Sequence, residues 1–120
     1  MKPSLITVVE TDQFLRDASK LMTEGERMNL VASIAANPQS GDLMPGGGGV
    51  RKLRWALSGR GKRAGARVIY YFHGEELPIF LLAAYGKNEK ANLTKAERNA
   101  IAKLIPILIA GYSSRSGRHS

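Results

Sequence analysis

Residues 50–72 read VRKLRWALSGRGKRAGARVIYYF, and the way the two ends of this stretch can pair across its middle decides the fold. In 50–56 the side chains alternate. Leu53 and Trp55 fall on one side of an extended chain and Lys52 and Arg54 on the other, which is the pattern of a half-buried antiparallel strand that gives one face to the core and displays cations on the other. From Arg67 to Phe72 the run is apolar on both parities, and so is IFLLAAY at 79–85. Such runs predict strands in the middle of a sheet with both faces largely covered. The basic, glycine-rich residues 58–65 form the first connection. His73, Gly74, Glu75 and Glu76 form the second, and Pro78 is tolerable beside a strand start. Three consecutive antiparallel strands are therefore expected.

On the N-terminal side, Leu5 to Val9 are short and β-branched and predict a first strand. Thr11 or Asp12 can cap a helix whose apolar positions are Phe14, Leu15, Ala18, Leu21 and Met22. Thr23 and Glu26 have capping-box spacing and open a second helix with a stripe at Leu30, Val31, Ile34 and Ala35, which Asn37 and Pro38 stop. The segment 39–49, QSGDLMPGGGG, reads as a loop. Its glycines are followed by a strand and by no Lys-Ser or Lys-Thr pair, so it lacks the signature of a nucleotide-binding loop.

On the C-terminal side, Thr94 and Glu97 repeat the capping-box spacing before a helix with Ile101, Leu104, Ile105, Leu108 and Ile109 on one face. Pro106 predicts a kink or an end within it. The expected fold is α+β: strand, two helices, three antiparallel strands, C-terminal helix. Residues 1–112 form a single domain, and the polar tail 113–120 is expected to be disordered.

Charge points to function. No Asp or Glu occurs from Leu43 to Gly74, and Arg51, Lys52, Arg54, Arg60, Lys62, Arg63 and Arg67 supply seven of the 18 basic residues, against a net charge of +8 for the whole chain. So lopsided a cluster suits a polyanion. The chain has no cysteine, which removes disulfides, thiol nucleophiles and thiolate metal sites. With His73 and His119 as the only histidines, neither a metal centre nor a cofactor is expected. The N-terminus makes a poor signal peptide and no run is long enough to span a bilayer, so a cytoplasmic protein without a membrane partner is expected.

Three pieces, GGVRKLRWA, GRGKRAGARVIYYF and LLAAYGKNEKANLT, make the chain resemble the RelE/ParE superfamily of toxins from bacterial type II toxin-antitoxin systems, and within it the HigB-like branch. The resemblance runs from about Leu5 to Leu108. It implies a ribosome-dependent mRNA interferase, an endoribonuclease that inhibits translation. It also implies two kinds of partner: the ribosome with its mRNA, and a cognate antitoxin, expected to be a helix-turn-helix DNA-binding protein encoded beside the toxin. It further implies that Lys52 and Arg54 bind and activate the RNA and that Arg67 stabilises the phosphate. Asn88 and Thr94 stand where the best-known relatives carry an arginine and a tyrosine, which leaves the general acid and base unassigned. ParE-type toxins share the fold but poison DNA gyrase without cutting nucleic acid, and a basic nucleic-acid-binding module is a third reading.

Metal-free RNA cleavage by the neighbouring 2′-hydroxyl needs a proton acceptor, a proton donor and charge neutralisation at the phosphorane. His73, in a hairpin turn, is expected to face solvent. Lys52, crowded by Arg54 and Arg67, is the candidate base because like charges disfavour its charged form. Arg54 and Arg67 suit phosphate clamping by paired hydrogen bonds. Tyr85 and Lys87 are candidate acids. Arg51, Arg60, Lys62, Arg63, Asn88 and Lys90 are expected to position the RNA, while Trp55 is expected to fill the core.

Overall fold

The computed structural model describes residues 6–57 and 65–117. Each helix starts at a threonine. For α1 (Asp12–Leu21) the cap is Thr11, whose Oγ1 accepts from the Phe14 amide at 3.2 Å. α2 (Glu24–Ala36) opens on the expected capping box, with Glu26 N donating to Thr23 Oγ1 at 3.1 Å and Thr23 N to Glu26 Oε1 at 2.8 Å. α3 (Lys95–Gly117) opens on the same device at Thr94 and Glu97, again at 3.1 and 2.8 Å. Amides left without partners by the helix geometry are satisfied in this way.

Five strands form one sheet: β1 (Val8–Glu10), β2 (Asp42–Leu43), β3 (Val50–Ala56), β4 (Gly65–Tyr71) and β5 (Ile79–Gly86), in the order β1-β5-β4-β3-β2. The expected α+β class and antiparallel β3-β4-β5 core are present, and β1 joins parallel to β5. β2 corrects the reading of 39–49 as loop throughout. Only two residues long, it is too short to show alternation, and it pairs antiparallel with Arg51 and Lys52. The turn that follows closes through Gly47 N to Met44 O at 2.9 Å, and Gly46, Gly48 and Gly49 take φ of 71°, 60° and 108°. Those backbone angles account for three of the four glycines, and at Gly47 an added Cβ would stand 3.0 Å from the Met44 carbonyl.

The sheet has a core on each face. Phe14, Ala18, Leu30 and Ile34 from α1 and α2 pack on Ala66, Val68, Tyr70, Ile79 and Leu81, with Leu53 and Trp55 alongside. On the opposite face Ile101, Leu104, Ile105, Leu108 and Ile109 of α3 pack around Val50, Ile69, Tyr71, Phe80 and Leu82. α3 does not end at Pro106. Pro106 is exposed, as is Ala102 one turn earlier, whose carbonyl loses its helical partner, so water can replace the missing bond. Packed residues on both sides of the proline, Ile105 and Leu108 among them, keep both halves of the helix on the sheet. The helix continues to Gly117 and so enters the stretch expected to be disordered, while 118–120 lie outside the described residues.

One irregularity matters for the site. Ile69 pairs with Ala83 but Tyr70 pairs with Leu81, so Leu82 has no partner of its own and the register shifts. Beyond the shift the parity of β5 is reversed: Ala84 joins the α1/α2 core and Tyr85 the α3 side. A bulge of this kind re-aims every later side chain on its strand.

Candidate nucleic-acid interface

Strand alternation places Lys52 and Arg54 on the α3 side of β3, opposite the buried face of Leu53 and Trp55. Register then builds a row across three strands, since Arg54 is opposite Arg67 and Arg67 opposite Tyr85. Lys52 lies two residues along β3 from Arg54, about 7 Å at the usual strand rise. Four of the five candidate catalytic residues thus share one patch, and Tyr85 reaches it only because of the shift at Leu82.

α3 packs on the core of this face around Val50, Ile69, Tyr71, Phe80 and Leu82, and Tyr85 belongs to the same core. Arg54 is exposed and Arg67 half-buried. Among the described residues neither guanidinium has a hydrogen-bond partner or a counter-ion, so both keep their donors for a ligand. Lys52 Nζ donates to Asn92 Oδ1 at 2.9 Å, which fixes the amine against the loop before α3.

Tyr85 is only 4% exposed, and its hydroxyl lies 3.5 Å from the Ala91 carbonyl, a weak contact. Burial pushes its pKa above the ordinary tyrosine value, against the opposing pull of Arg67 and Lys90. The group is therefore a neutral hydroxyl, able to donate a proton. Lys90 Nζ sits 5.2 Å from the ring centroid and is ion-paired with Glu97. Glu97 uses one oxygen on the Thr94 amide and the other on Lys90, and those two donors hold its carboxyl below the usual range. Glu97 in turn raises the Lys90 pKa. The α3 cap therefore holds a cation over the Tyr85 ring.

The remaining candidates separate. Lys87 and Asn88 are exposed in the turn after β5, and no side-chain contact ties them to the row. Arg51 takes the parity of Leu53 and faces away. Its guanidinium donates to the Gly41 carbonyl at 2.6 Å and to Gln39 O at 3.3 Å, pinning the α2–β2 connection, so it is engaged in the fold rather than displayed with Lys52 and Arg54. Arg60, Lys62 and Arg63 lie outside the described residues. His73 stacks on Tyr71 at 6.2 Å between ring centroids, at the far end of the sheet from Tyr85. Sequence reasoning missed Asn92 and the second contact of Glu97. The capping-box spacing located Glu97, but nothing in the chain order signals its partner Lys90.

The chain is thus a small basic α+β domain with a cationic row on one face of its sheet. A sequence model of the family described as "RelE toxin of RelE / RelB toxin-antitoxin system" matches residues 6–114, and the chain belongs to that family. Among solved structures the fold is similar to Escherichia coli toxin RelE, in a mutant with two arginine-to-alanine changes in the free state. The TM-score is 0.53 at 15% identity, over 72% of this chain and 88% of that one.

Proposed function

We propose that this toxin is a metal-independent endoribonuclease that cuts mRNA on the ribosome in the cytoplasm and is neutralised by a cognate antitoxin, a helix-turn-helix protein encoded beside it. The observation that carries this reading is the Arg54–Arg67–Tyr85 row with Lys52 beside it on one face of the sheet, Arg54 exposed and Arg67 half-buried. The 2′-hydroxyl of the RNA attacks the adjacent phosphorus, the P–O bond to the 5′-oxygen breaks, and a 2′,3′-cyclic phosphate remains. Arg54 and Arg67 each offer paired donors to the phosphorane oxygens, where charge builds up in the transition state. Lys52 is placed to take the proton from the 2′-hydroxyl. Tyr85, kept neutral by burial, is placed to give one to the leaving oxygen. Lys87, Asn88 and Lys90, with Arg60, Lys62 and Arg63, serve as contacts to the RNA backbone.

Expression without antitoxin, followed by mapping of 5′ ends, tests this. Cuts should appear within translated messages in wild-type cells and disappear in Arg54→Ala and Arg67→Ala variants. Growth arrest with intact messages and early stalling of replication would refute the nuclease reading and favour a gyrase poison.

A further inference from the structure

A second groove adjoins the cationic row on the side away from Tyr85. It encloses about 440 Å³, within the range of small-ligand sites, and its walls include Lys52, Asn92, Arg98, Leu93, Leu43 and Asp42. We infer that this groove is a nucleotide subsite, in which Arg98 binds the backbone of single-stranded RNA one step along from the scissile phosphate and Asn92 contacts the base. This rests on the nuclease reading and deepens it.

Two observations carry the inference. The first is preorganisation by the Asn92–Leu93 loop. Asn92 Oδ1 receives Lys52 Nζ at 2.9 Å, and the Leu93 carbonyl receives Arg98 Nη1 at 3.0 Å, while the Leu93 side chain is buried in the α3 core at 7% exposure. One anchored loop thus fixes two basic side chains on one groove, so little side-chain freedom remains to be lost when a ligand binds. The second is unused donor capacity. The Asn92 amide nitrogen and the remaining Arg98 donors have no partner among the described residues.

Continuity with the row favours RNA over another ligand. Lys52 belongs to both the row and the groove, so a strand bound along the row runs on into the groove. Asp42, opposite Lys52 in the sheet, is the groove's acid. It would repel a phosphate, but it can accept a hydrogen bond from a base amino group or a ribose hydroxyl. That places the phosphate at the Arg98 end. An amide and a carboxylate facing a base also supply both donor and acceptor, the requirement for reading base edges.

The test uses the full-length toxin and a short RNA whose cleavage-site ribose is 2′-deoxy, so that it binds without being cut. Arg98→Ala should weaken binding about threefold to tenfold and lower the slope of log affinity against log salt by about 0.7, the value for one lost contact to a single strand. Arg98→Lys should keep the slope. Removing one nucleotide from one end of the RNA should weaken wild-type binding by a similar factor and leave Arg98→Ala unaffected, because both changes delete the same contact. Asn92→Ala should change the distribution of cut sites in messages. Unchanged affinity and slope for Arg98→Ala, or losses that simply add on truncation from either end, would overturn the subsite even if the wild type cleaves RNA normally. A wild type that leaves messages uncut on translating ribosomes would overturn the nuclease reading with it. If Arg98→Ala loses only antitoxin affinity, the groove belongs to an acidic protein segment and the RNA assignment is wrong.

Discussion

Arg54 and Arg67 face each other directly across β3 and β4, and that placement predicts opposite effects on stability and on activity when either charge is removed. Like charges at opposed positions of an antiparallel pair are destabilising, by about 0.2–1 kcal/mol. Neither guanidinium has an acid beside it to offset the repulsion among the described residues. Arg67→Gln keeps the polar stem and removes the charge, so the fold should gain about 0.2–1 kcal/mol. For a domain of this size that raises Tm by roughly 1–5 °C. The gain should shrink as salt is added, because the repulsion is screened. Arg54→Gln should give a similar gain, and the double variant little more than either, since each single change already abolishes the pair. Activity should move the other way, by about 100- to 1000-fold in single-turnover cleavage on programmed ribosomes, the usual effect of deleting a donor aimed at transition-state charge. The assays are thermal denaturation at low and high salt, and cleavage at saturating toxin with binding determined separately. An unchanged or lowered Tm at low salt would show that the two charges do not repel in the fold. Normal cleavage at saturation would reduce Arg67 to a positioning contact.

Three further outcomes follow from the fold. Tyr70 is fully buried, its hydroxyl accepting from Gly41 N at 2.9 Å and donating to Pro38 O at 2.7 Å, so Tyr70→Phe should strand a buried amide and cost about 1–3 kcal/mol in denaturant unfolding. Gly49→Ala should lose about 1–3 kcal/mol in the same assay, because φ is 108° there and an added Cβ would stand 2.9 Å from the Tyr71 ring. For pH, Glu97 is held low chiefly by Lys90, so its contribution to stability is present above its unfolded value of about 4.3 and is lost as pH falls through the folded value. Lys90, raised chiefly by Glu97, and Tyr71 and Tyr85, raised chiefly by burial, contribute below their unfolded values near 10 and lose that contribution as pH rises through the folded ones. These four groups therefore leave Tm flat between about pH 5 and pH 9, and Glu97→Gln should remove the Glu97 share of the acid limb.

The elements legible in the sequence are those whose signal is local. Capping boxes fixed the starts of α2 and α3, and period-two alternation in 50–56 put Lys52 and Arg54 together on one face. The same alternation assigns Arg51 to the face of Leu53, and counting it as an RNA contact set charge above parity. Tyr85 is different. The run IFLLAAY is apolar at every position, so neither parity nor composition marks Leu82 as the point of register shift, and strict alternation from Leu81 would have put Tyr85 on the α1/α2 side. β2 is stabilised by pairing with β3 and not by its own two residues. Lys52 with Asn92, Lys90 with Glu97 and Arg98 with the Leu93 carbonyl all depend on where α3 docks, which no local pattern encodes.

The open end of the sheet is a consequence of the charges that occupy it. If α3 were shifted along the sheet to cover Arg54 and Arg67, two unpaired guanidinium groups would be buried against Ile101, Leu104 and their neighbours. Removing an ion from water without a partner costs several kcal/mol even after relaxation. The apolar rows at Val50, Tyr71 and Phe80, and at Ile69 and Leu82, offer the helix a favourable alternative, so its stripe settles there. The Thr94–Glu97 cap then begins α3 where the Glu97 carboxylate can hold Lys90 over Tyr85. The arginines proposed to bind the phosphate would thus also keep the helix off the surface proposed for it. Replacing both by Leu would remove that obstacle and extend the apolar surface toward Tyr85, leaving the position of α3 less strictly defined.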